Sequence, residues 1–205
     1  MGLYQGDSSH PKIRLLAAWL LPGIAIGIAV VFAAYGDSGR EWLRFDRAAI
    51  TGGEGWRLIS GHFVHLGPSH LALNAVGFLL VWYLVADYFT RGQWLIITLS
   101  IIVGIDLGFW YFEPALQWYV GLSGLLHGLL AAGVVGGFRS GRTEIWVLGA
   151  ALIAKLMYEQ LLGPLPGSEE SSGGAVIVAA HAYGALVGAV TAGLIMIRAR
   201  SQRPI

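Results

Sequence analysis

Cysteine is absent from the 205 residues, so disulfides and thiolate chemistry are excluded. Charge is scarce as well. Asp, Glu, Lys and Arg make up only 12% of the chain, where a soluble domain carries about a quarter. The basic residues form no stripe beyond a few loops, which argues against nucleic acid as a partner. What fills the chain is apolar: 56% hydrophobic residues, together with 30 glycines.

The apolar residues come in runs separated by short loops, the pattern of one helical bundle. Six runs approach the length of about 20 residues that crosses a hydrocarbon core: 14–35, 70–89, 94–112, 121–137, 144–163 and 175–197. The fourth is short and glycine-rich. The reading is an all-α membrane protein with a bundle of six transmembrane helices. A polar tail spans 1–12, a single membrane domain 13–198, and a basic tail 199–205. A signal peptide is the alternative for the first run. No convincing small-residue cleavage site follows it, so it is read as a retained helix.

Lys and Arg set the expected orientation. With the N-terminus in the cytoplasm, Lys12, Arg14, Arg91, Arg139, Arg142, Arg198, Arg200 and Arg203 lie inside. Arg40, Arg44, Arg47 and Arg57 lie outside, and Lys155 falls within a run. That bias places both termini in the cytoplasm. The outside arginines alternate with Asp37, Glu41, Asp46 and Glu54, so the first external loop is expected to fold on local ion pairs.

Helices in lipid associate where small residues let their backbones approach. Gly124 and Gly128, then Gly133 and Gly137, lie on the fourth helix; Gly184, Gly188 and Ala192 share a face of the sixth. The same two helices carry polar groups. Ser123 shares a face with His127, and His181 with Gly184. Both helices enter from outside, so Ser123 and His181 lie at similar depth. If the glycine faces meet, hydroxyl and imidazole come within hydrogen-bond reach, and a serine beside a base becomes a nucleophile.

A second polar cluster is His62, His65, His70 and Asn74. Gly67-Pro68-Ser69 reads as a turn with Ser69 as N-cap of the second helix. His70 and Asn74 are four residues apart and stack on one face near its outer end. They could donate hydrogen bonds to an oxyanion, or simply tie the loop to the helix. A metal is a third option, disfavoured by irregular spacing and by the lack of an accompanying carboxylate. Asp106 is read as holding a loop or a neighbouring helix. Lys155 and Glu159, four apart, are read as a structural pair.

The ordered set Trp56-Arg57, His65, His70, Asn74, Gly121-Leu122-Ser123-Gly124 and His181-x-x-Gly184 resembles the rhomboid family over roughly residues 56–195. The resemblance implies an intramembrane serine protease with Ser123 as nucleophile and His181 as general base, in a dyad without a third, acidic member. It implies that His70 and Asn74, with the backbone amide of Ser123, stabilise the oxyanion. Arg57, His65, Gly184 and Gly188 are then structural, and no metal or other cofactor is needed. Where most rhomboids carry an aromatic four residues after the serine, this chain has His127. His127 could compete as base or, with Gly121 and Gly124, shape the substrate pocket; the family pattern favours His181 as base.

The string Gly-Leu-Ser-Gly-Leu-Leu-His-Gly at 121–128 is similar to the signature of the rhombosortase branch. That likeness implies a place in the bacterial inner membrane with the site facing the periplasm. Its partner would be the C-terminal transmembrane sorting tail, rich in Gly-Gly, of secreted proteins. Alternatives are a general rhomboid protease, an inactive rhomboid-like binding protein, and a metal or haem protein using the histidines.

Overall fold

The computed structural model describes residues 19–201. The expected tail 1–12, the start of the first apolar run with Lys12 and Arg14, and Arg203 lie outside the described residues.

The described chain is mostly helical. Helix α1 (Leu20–Ala34) runs into α2 (Gly36–Leu43) through a bend of 120°. Gly36 sits at the bend with φ +63°, a conformation open to glycine. Strand β1 (Phe45–Asp46) follows, then the short helices α3 (Arg47–Thr51) and α4 (Arg57–Ser60). Asp46 caps α3 by accepting from the Ala49 amide at 3.2 Å. Helix α5 (Pro68–Val85) continues into a 3₁₀ turn, and α6 (Arg91–Phe112) begins with a capping box between Thr90 and Gln93. Strand β2 (Trp118–Tyr119) leads to α7 (Ser123–Gly137). Helix α8 (Thr143–Leu162), the single-turn α9 (Ser168–Ser172) and α10 (Val178–Ser201) complete the fold.

Two local expectations change. The N-cap of α5 is Gly67, not Ser69, because Pro68 takes the first helical position, where its missing N–H is not needed. And the fold is not purely helical. Strands β1 and β2 pair antiparallel, Phe45 opposite Tyr119 and Asp46 opposite Trp118.

Lipid as solvent explains the distribution of side chains. Leu80, Val103, Ile153, Leu161 and Leu194 are exposed on the outside, while Arg57, His62, His70, Asn74, Asp106, Glu159 and His181 are buried inside. A water-soluble fold of this size would place them the other way round. Among the described residues, four helices are long and apolar enough to cross a membrane, five if the bent α1–α2 pair counts as one span. All six predicted runs contain a helix, but α7 has only 15 residues, about 22 Å at 1.5 Å per residue, short of the ~30 Å core. It lies at the centre of the bundle, packed by α5, α6, α8 and α10. A short helix with irregular backbone at its start is tolerated at membrane depth only when protein encloses it. Tyr119, Val120, Gly121 and Leu122 are all buried.

The segment between α1 and α5 folds on the expected ion pairs: Asp37–Arg40 at 3.0 Å, Arg44–Asp46 at 3.1 Å and Glu54–Arg57 at 2.6 Å.

Candidate active site

The start of α7 is pinned from three sides. The β1–β2 ladder holds Tyr119, whose hydroxyl donates to the Gly121 carbonyl at 2.6 Å. The Gly121 amide donates to the Gly61 carbonyl at 3.1 Å. Gly121 has φ +127°, and a Cβ there would meet Cε1 of His70 at 3.0 Å, so both backbone and space demand glycine. Asp106 meets His62 across 3.3 Å, joining the segment before α5 to α6 as expected of a loop-holding residue.

Helix α7 then runs against α10 with almost no side chain between them. A Cβ on Gly184 would collide with the Gly124 carbonyl, and one on Gly188 with the Gly128 carbonyl. The Gly133 and Gly137 pair faces elsewhere, toward Val85 and Tyr88. The α7–α10 approach brings the two helices' polar residues together. Ser123 Oγ lies 2.9 Å from His181 Nε2. This is hydrogen-bond distance for a hydroxyl and a ring nitrogen.

His181 is 4% exposed and its other nitrogen is also engaged. Nδ1 lies 2.9 Å from Glu159 Oε2, and Glu159 Oε1 accepts from Lys155 Nζ at 2.5 Å. The predicted Lys155–Glu159 pair is present, but Glu159 also reaches the site, which the sequence reading missed. Its signal was depth. Residue 159 lies near the C-terminal end of its run, level with Ser123 and His181.

His127 stacks on His181 with ring centroids 4.1 Å apart and planes 17° from parallel. It occupies the place that an aromatic takes in the family pattern. Its Nδ1–H donates to the Ser123 carbonyl at 2.7 Å, not to the hydroxyl. The ring nitrogen within reach of Ser123 Oγ is therefore that of His181.

Two predicted oxyanion residues line the same cavity of about 160 Å³, with Ser123, His127, Glu159 and His181. The Leu66 amide donates to His70 Nδ1 at 3.3 Å, which leaves the proton on Nε2, the nitrogen beside Gly121. Asn74 is 5% exposed and its Nδ2 has no partner. A buried amide N–H without a partner costs about 1–3 kcal/mol, so its retention suits a group waiting for an acceptor. The Ser123 amide opens α7, where no intrahelical acceptor exists.

The remaining predicted residues support the site from outside. Arg57 is buried and donates to the Glu41 carbonyl at 2.8 Å and the Arg44 carbonyl at 3.1 Å. His65 donates from Nδ1 to the Phe63 carbonyl at 3.1 Å, and its ring meets that of His70 edge to face at 5.0 Å. Burial first, and then His70, bring His65 down to about 4, so it is neutral at pH 7.

His127, Glu159 and His181 offer three ligand atoms within 4.8 Å of one another, a grouping that could hold a metal ion. Their chemistry fits a metal poorly. Glu159 is already committed to His181 and to the Lys155 ammonium, and that ammonium repels a second cation.

In comparisons with known proteins, the model of the Rhomboid domain family matches residues 52–198, most of the chain. No curated protein matches it.

Proposed function

The chain belongs to the rhomboid family of intramembrane serine proteases, and from that premise we propose that it cleaves the C-terminal transmembrane sorting tail of secreted proteins at a glycine-rich bond. The observation that carries this reading is the 2.9 Å contact between Ser123 Oγ and His181 Nε2 inside a polar cavity.

The steps follow from the geometry. His181 Nε2 takes the Ser123 hydroxyl proton as Oγ attacks the scissile carbonyl carbon. The carbonyl oxygen becomes an oxyanion, with the Asn74 amide, His70 Nε2–H and the Ser123 N–H as its donors. The tetrahedral species collapses, the C–N bond breaks, and the His181 proton passes to the leaving amine. The acyl group stays on Ser123 Oγ until water or another amine attacks, again with His181 as base.

Glycine-rich sequence suits this site. It unwinds readily from a helix, and the cavity beside the stacked His127 and His181 rings is polar enough to receive its exposed backbone. The string at 121–128 points the same way. We place the site on the outer side of a bacterial inner membrane, consistent with Arg198 and Arg200 in the last turn of α10 as inside-facing charges.

The test is cleavage in proteoliposomes. One substrate carries a Gly-Gly stretch, an apolar helix and a basic end; the other is a single-pass protein without the glycines. Cleavage of the first alone supports the sorting role. Equal cleavage of both makes the chain a general rhomboid protease, and cleavage of neither leaves a binding role.

A further inference from the structure

We propose that Glu159 is a positioning residue that completes a Ser123–His181–Glu159 triad, with Lys155 holding the carboxylate in place. The inference rests on the protease reading above and departs from a simple dyad.

The need arises from the imidazole. Its ring has two neutral tautomers, and only the one with a bare Nε2 accepts the Ser123 proton. A carboxylate 2.9 Å from Nδ1 selects that tautomer by accepting Nδ1–H. It also places a negative charge against the imidazolium that forms when the Ser123 proton moves to Nε2. The Nδ1 proton stays on the ring throughout, and Glu159 stays a carboxylate.

The pair is built for this. Glu159 is 2% exposed, and a buried carboxylate is strongly disfavoured without partners. It has one partner for each oxygen, His181 for Oε2 and Lys155 for Oε1. Lys155 thus fixes the rotamer that aims Oε2 at the ring. The charged or titratable groups that face His181 are His127 on α7, Lys155 and Glu159 on α8, and His70 on α5. Glu159 is the carboxylate among them. Nor is Glu159 the sole tie between α8 and α10, for Gln160 Nε2 donates to the Val178 carbonyl at 3.2 Å. Helix placement therefore has a second support, and loss of Glu159 can be read at the ring.

The experiment measures the second-order rate at which a fluorophosphonate labels full-length protein in detergent. Glu159→Gln keeps the shape and removes the charge; Glu159→Asp keeps the charge one methylene short. Glu159→Gln is expected to label about 10²–10⁴-fold more slowly, the scale of losing a triad acid, when compared at equal folded fraction. Glu159→Asp should recover part of the rate. A Glu159→Gln rate within threefold of wild type overturns the triad. Should Glu159→Gln not fold, ¹⁵N spectra of wild-type His181 decide: a proton on Nδ1 supports the assignment, and a proton on Nε2 overturns it. Failure of wild type to label at Ser123 removes the protease reading itself, an outcome distinct from the triad alone failing.

Discussion

Gly184 on α10 lies so close to the carbonyl of Gly124 on α7 that a single methyl group could not fit between them. This contact places Ser123 and His181, three residues or fewer from it on either helix, at 2.9 Å. The reactive geometry is thus set by two residues with no side chain.

Gly184→Ala should therefore damage activity and packing together. The obstacle is backbone, which cannot rotate aside as a side-chain tip can. Overpacking of this kind costs about 1–3 kcal/mol. A lower unfolding midpoint is expected, with labelling of Ser123 reduced by at least tenfold. Gly193, whose added Cβ would meet nothing within 4 Å, is the control: Gly193→Ala should label like wild type.

Asn74 should show the opposite balance. Its Nδ2 is buried without a partner, so Asn74→Ala removes an unsatisfied donor and should leave stability unchanged or slightly raised. Turnover should fall about 10²–10³-fold, the scale of losing one oxyanion donor. Cleavage kinetics beside thermal unfolding separate the two. Loss of stability with intact turnover would make Asn74 a loop tie.

His65 predicts a pH effect on stability. Its folded value lies near 4 and its unfolded value near 6.5, so between them the unfolded chain binds more protons. The folded state is favoured at pH above about 6.5, and that advantage, up to about 3 kcal/mol, is lost as pH falls toward 4. Unfolding of wild type and His65→Gln should be compared at pH 7.5 and 5. The wild type should lose more stability over that interval; equal losses would contradict the buried neutral imidazole.

Much of this site was legible in the sequence because membrane-buried polar residues are few and each needs a reason. Ser123, His127 and His181 stood out against apolar and glycine neighbours, and helical spacing placed them on faces that the glycines then brought together. Glu159 was hidden by its own helix. Lys155, one turn away, offered a complete explanation, and i,i+4 spacing says nothing about a third partner on α10. The β1–β2 pair was hidden for a related reason. Two residues per strand carry no periodicity, and the register joins segments more than 70 residues apart. The short α7 was visible as a short run, but that its length needs an enclosing bundle emerges only from the packing.

The most direct test of the central claim is mass spectrometry of the purified protein after fluorophosphonate treatment, beside Ser123→Ala and His181→Ala of equal folded yield. The account predicts one adduct, on Ser123, absent from both variants. An adduct elsewhere, or labelling that survives in His181→Ala at the wild-type rate, would contradict a Ser123 nucleophile activated by His181.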